Sequence, residues 1–234
     1  MQSPLKPFGE NLWLLDGDPV RMYTIPFETR MTVARMASGE IWLHSPVQPT
    51  PERVAAVDRL GAVAHIVAPT TLHNLYVSPW QKAFPRAKSW AAPGIQERCP
   101  HLTFDAELTQ VVPEALAPDF DMVLFSGSEV LKEAVFYHRA SQSLIVTDII
   151  QNHRPEAHGW FWRAVKSWIG VLAPKGGVPK DYWISVQDRD AAQREAEAIL
   201  AWDIQRVVVS HGVCIEEDAA NFVRQAFRRV TLDV

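Results

Sequence analysis

Short apolar runs alternate with segments of helical period along the chain, and the runs end on polar or turn residues. Two runs stand out. Leu144-Ile145-Val146 leads into Thr147-Asp148, and Val207-Val208-Val209 leads into Ser210-His211-Gly212. Unbroken aliphatic runs of this length predict strands buried on both faces. Further strands are expected over residues 11–15, 31–37, 40–44, 64–68, 88–91, 121–125 and 134–137, with hairpin turns at Ser38-Gly39 and over 139–142. Thr50-Pro51-Glu52 predicts a helix start, with Thr as N-cap, Pro in the first turn and an acid beside it; the helix runs to about residue 60 and Gly61 ends it. Helices are also expected over 79–84, 156–172, 188–201 and 216–230. Both halves give hairpin strands, a helix and another strand, so the class is α/β with mixed rather than purely parallel sheets. Residues 151–187 interrupt this rhythm as a Trp-rich insertion or lid.

Composition narrows the functional classes. A chain of 234 residues with 47% hydrophobic and 21% charged residues can bury a substantial core. Its net charge of −4 gives no electrostatic case for nucleic acid or an anionic membrane. Cys99 and Cys214 are the only cysteines, which points to a reducing, cytoplasmic setting and no Cys-rich zinc site. The N-terminus lacks an apolar core of signal-peptide length, and no window is apolar enough to span a membrane. Nine tryptophans suggest large aromatic packing units or an aromatic-lined groove. No G-x-S-x-G is present. His44 and Ser45 are strand neighbours that point to opposite faces, so they do not form a nucleophile–base pair; either could support a site from beneath.

The strand order, with Thr147-Asp148 after one strand and Ser210-His211-Gly212 after a late one, resembles the metallo-β-lactamase superfamily. The phrases Trp42-Leu43-His44-Ser45-Pro46, Ile66-Val67-Ala68-Pro69 and Val209-Ser210-His211-Gly212 resemble an uncharacterised branch of it, a domain of unknown function, over about residues 8–227. The resemblance implies a single domain over residues 1–234. It also implies an αββα sandwich: two mixed β-sheets face each other, helices cover the outsides, and metals sit at one edge.

The departures matter as much. Where the superfamily carries H-x-H-x-D-H, this chain reads Pro69-Thr70-Thr71-Leu72-His73-Asn74. Pro69 and Thr71 stand at the first two histidines, His73 at the aspartate and Asn74 at the last histidine. Before the strand at 134–137 the chain offers Glu129 and Glu133 and no histidine. Asp148 and His211 alone map onto the family's bridging carboxylate and late histidine. The implied ligand set is His73, Glu133 (or Glu129), Asp148 and His211, holding one divalent ion: zinc, manganese or iron. Catalytic roles would fall to Asp148, His73 and Asn74, the last holding water or substrate by its amide.

Each residue also has an ordinary structural role open to it. Asp148 could cap a turn, His211 could close a strand, His73 could be a packed histidine, and Glu133 could be a solvated strand edge. In the segment from His158 to Leu172, Trp160, Phe161, Trp168 and Leu172 approach one helical stripe. Packing of that stripe on the sandwich is the favoured reading; a wall of an apolar pocket and contact with a membrane surface or partner are the others, and the net charge argues against the membrane. Two functions follow. One is a metal-dependent hydrolase of small or lipid-like substrates with at most one metal ion. The other is a non-catalytic protein of the same fold that carries no metal and binds a small molecule or partner through its Trp-rich segment.

Overall fold

The computed structural model describes residues 3–22 and 25–232. Seven strands form the first sheet in sequence order: β1 (Lys6–Gly9), β2 (Leu12–Met22), β3 (Ile25–Arg35), β4 (Ile41–His44), β5 (Val63–Ala68), β6 (Lys88–Ala91) and β7 (Ala106–Glu107). β1 to β4 pair antiparallel and β4 to β7 parallel. The second sheet runs β11 (Arg206–Val209), β10 (Ser143–Val146), β9 (Glu133–His138), β8 (Phe120–Phe125). β8, β9 and β10 are antiparallel, and β10 pairs parallel with β11. Both sheets are mixed, as the pattern predicts.

Strand alternation sorts the core into three layers. Trp42, Val67, Ile145 and Val208 meet Phe120, Phe136 and Leu12 between the sheets. Their chain neighbours Leu43, Ile66 and Ala68 turn the other way, under α1 (Pro51–Asp58), α2 (Val77–Ala83) and α3 (Ile95–Arg98). Leu144, Val146, Val207 and Val209 likewise face α5 (Lys180–Ile184), α6 (Arg189–Leu200) and α7 (Ala219–Leu232). These are the layers of an αββα sandwich. Thr50 caps α1 by accepting from the Arg53 N–H, and Asp188 caps α6 by accepting from that of Ala191.

Two expectations fail in instructive ways. The helix expected over 156–172 is a single 3₁₀ turn at Pro155–Ala157 followed by α4 (Trp160–Ile169), because His158 and Gly159 are extended. Its aromatic stripe does not pack on the sandwich. Trp160, Phe161 and Trp168 are exposed, and the inner face carries Lys166, which is buried. The strand expected from residue 31 begins at Ile25, since pairing with β2 continues through a bulge between Gly17 and Val20.

Candidate metal centre

The residues just beyond the ends of β4, β5, β10 and β11 meet at one edge of the sandwich. Ser45 follows β4 in a left-handed conformation (φ 56°), and its Oγ is hydrogen-bonded to His73 Nδ1 at 2.6 Å. The loop after β5 carries His73, whose N–H bonds back to the Thr70 carbonyl at 3.2 Å. Asp148 lies two residues past β10 and His211 two past β11.

Three of the four ligand candidates converge. His73 Nε2 and His211 Nε2 are 3.2 Å apart, and they lie 3.4 and 3.3 Å from Asp148 Oδ1. A tetrahedral ion with bonds of about 2.0–2.1 Å separates its ligand atoms by about 3.3–3.4 Å. The triangle already has the edge lengths of one ion's coordination face. The outward atoms are all engaged. His211 Nδ1–H donates to the Glu28 carbonyl at 2.7 Å, which leaves the Nε2 lone pair facing the cluster. Thr70 Oγ1–H donates to Asp148 Oδ2 at 2.9 Å, leaving Oδ1 to face the imidazoles. The three side chains are 6–8% exposed. They fit a single divalent cation.

Glu133 is not brought into this cluster. Its Oε1 accepts from the Thr147 N–H at 2.6 Å, and its Oε2 from those of Asp148 and Ile149, both at 2.8 Å. Three consecutive amides saturate a carboxylate that would otherwise be available as a ligand. Glu129 is exposed and pairs with Lys132. The Asn74 amide donates to the Thr71 carbonyl at 2.7 Å and to Cys99 Sγ rather than to the cluster. His44 lies between the sheets, its ring stacked on Trp42 at 5.1 Å, and burial pushes its pKa down to about 3.

Electrostatics in the cluster follow from burial and proximity. Burial pushes the Asp148 carboxyl up, but His73 and His211 outweigh it and hold the group well below the usual carboxylate range. Burial lowers His73, and the Asp148 charge overcomes it, so the net shift is upward. Glu133 is pushed up to about 7 by burial and by Asp148, against the pull of its three amides.

Two cavities of about 380 and 300 Å³ reach Asp148 and share Phe27, Thr71 and Leu72. The larger contains His73 and His211; the smaller is walled by Trp162, Val165, Lys166 and Ile169 of α4. Lys166 Nζ has three neighbours for its three protons: His153 Nδ1 and His158 Nε2 at 3.1 Å and the Pro26 carbonyl at 3.2 Å. Burial lowers its pKa to about 8.

Sequence reasoning missed the part played by the start of β3. Phe27 packs edge-on to His211 at 5.3 Å, and Glu28 supplies the carbonyl that orients it. Buried Arg30 donates to the carbonyls of Val209 (2.6 Å) and Gly212 (2.9 Å) and to Asp16 Oδ1 (2.8 Å), tying the His211 loop to the opposite sheet. A positive residue, Arg30, at the edge of a β-forming stretch was the available signal; its pairing opposite Asp16 emerges only in the fold.

Comparison with known proteins gives the chain a family and a fold. Residues 9–158 match a family described as a domain of unknown function, DUF4336. No curated protein matches the sequence significantly. Among solved structures, the metallo-β-lactamase TMB-1 superposes with a TM-score of 0.66 at 10% identity, covering 97% of both chains. A metallo-β-lactamase from Pontibacter korlensis gives 0.64 at 11% identity, covering 97% of this chain and 99% of the other. One from Hirschia baltica gives 0.62 at 11%, covering 97% and 96%. At such identities the likeness is one of fold. The chain belongs to the DUF4336 family and carries it on the metallo-β-lactamase fold.

Proposed function

We propose that the protein is a hydrolase dependent on one divalent metal ion, held by His73, Asp148 and His211. The observation that supports this most is the triangle of Nε2, Nε2 and Oδ1 atoms with edges of 3.2–3.4 Å. Three protein ligands leave a coordination position for water or substrate, as catalytic zinc sites require. When bound, such an ion supplies a Lewis acid and acidifies water to a pKa of about 7. The chain's own residues do the rest. Ser45 and the Glu28 carbonyl hold the two imidazole rings, and Thr70 holds the Asp148 carboxylate. Glu133 grips the main chain of residues 147–149 and so fixes where Asp148 sits. Phe27 and Leu72 give both cavities apolar walls that limit water. Lys166 adds a positive charge to the wall of the smaller cavity, suited to a developing negative charge or an anionic substrate group.

The test is metal-reconstituted protein assayed against chromogenic carboxylic ester, thioester and phosphodiester substrates. Turnover that needs added zinc or manganese and is lost in Asp148→Ala supports the reading. Turnover no greater than that of Asp148→Ala on all three classes favours the second reading, a non-catalytic binding protein. That reading draws on Pro69 and Thr71 standing where the superfamily places two histidines.

A further inference from the structure

Helix α4 carries apolar side chains on both its inner and its outer arcs. At 100° per residue, Trp160, Ala164, Trp168 and Phe161 fall within an arc of about 100°. All four are exposed, Trp160 at 82% and Trp168 at 69%. The opposite arc carries Trp162, Val165, Lys166 and Ile169, which wall the smaller cavity. Of the other exposed large apolar side chains among the described residues, Leu72, Leu75 and Val130 line the two cavities, and Ile184 and Val111 line neither. Singly scattered apolar residues need no explanation; three outward aromatic side chains on one helical arc do.

The charges along this segment are mostly positive. Between Gly159 and Ser185, leaving aside buried Lys166, the chain carries Arg163, Lys175 and Lys180 against Asp181, a net +2 within a chain of net −4. Lys180 Nζ lies 5.2 Å over the Trp168 ring, so a cation sits beside an outward indole. Exposed Trp and Phe on a helix, bordered by Lys and Arg, match the interface of a phospholipid bilayer, where indoles settle at headgroup level and cations meet anionic lipid. No helix among the described residues is long and apolar enough to cross a membrane, so the contact is peripheral.

We propose that the outward face of α4 docks the protein on an anionic phospholipid surface.

Flotation of the full chain with vesicles of phosphatidylcholine, alone or mixed with phosphatidylglycerol, tests the proposal. Wild type should float with the mixed vesicles, with a blue shift in Trp emission, and should weaken as salt is raised. The triple variant Trp160→Ser, Phe161→Ser, Trp168→Ser should lose more than about tenfold in vesicle affinity while keeping its melting temperature, since these side chains cover no core. Val111→Ser should float like wild type. Asp148→Ala should also float like wild type, which separates failure of the metal site from failure of the docking. Wild type that stays unbound with both vesicle types overturns the proposal, as does a triple variant that floats equally well. A wild-type dimer in solution that the triple variant dissociates also overturns it, because a second copy then covers the face.

Discussion

Asp148 has a different partner at each polar atom: the two imidazoles at Oδ1, Thr70 at Oδ2 and Glu133 at its main-chain N–H. The partners themselves are held, and that gives testable consequences. Removing Ser45 Oγ or weakening the Glu133 grip should loosen the ligand set without emptying the fold. Ser45→Ala and Glu133→Gln are each expected to lower zinc affinity by about 10–100-fold, measured by titration against a competing chelator. Metal affinity should also depend on pH in a set direction. His73 is raised above 6.5, so below that raised pKa the metal-free protein holds a proton there that the ion must displace. Affinity should rise by about tenfold per pH unit up to the His73 pKa and then flatten. The metal-free protein should show the opposite trend. The His73–Asp148 attraction stabilises it fully below pH 6.5 and fades as pH rises through the raised His73 pKa. The Asp148 contribution is instead lost in acid, below its ordinary 3.8. Asp148 and His211 were legible in the sequence because each follows an unmistakable strand. Glu133 was legible as a carboxylate near the site but not as one saturated by amides, since its partners come from residues 147–149 of another strand end.

The strand ends act through a few backbone positions. Gly212 follows His211 at φ 111°, and its α-carbon lies so close to the Asn152 carbonyl that a Cβ would collide with it. Asn152 also takes the His211 carbonyl on its N–H and gives its carbonyl to the Val213 N–H at 2.8 Å. Gly212→Ala should therefore cost about 1–3 kcal/mol in denaturant unfolding and weaken metal binding at the same time. A variant with unchanged stability would show that the loop relaxes freely. Elements were most legible where period and capping agreed, as in α1 and α6. They were least legible where tertiary pairing overrode the local pattern. β3 begins at Ile25 because β2 offers a partner there, and the helix expected from residue 156 breaks because Gly159 is extended. Burial of Lys166 on the inner face of α4 is something the aromatic stripe could not reveal. The two histidines that receive its protons, His153 and His158, lie before the helix.

On the scale of the whole molecule, the two sheets meet through Trp42, Phe120 and Phe136, whose rings are 4.5–6.0 Å apart. Trp42→Ala should cost about 3–5 kcal/mol, because the gap it leaves lies between two sheets that cannot close on it. The sandwich matters to the site because the ligands come from both sheets: His73 follows β5 of one, and Asp148 and His211 follow β10 and β11 of the other. An ion joining them ties the sheets at one edge. Chelation of metal-loaded protein should lower the melting temperature, and this loss should vanish in Asp148→Ala. The most direct test of the central claim is the metal content of purified wild type beside Asp148→Ala and His211→Ala after dialysis against zinc. The account predicts about one equivalent in wild type and little in either variant. Equal trace metal in all three proteins would contradict it.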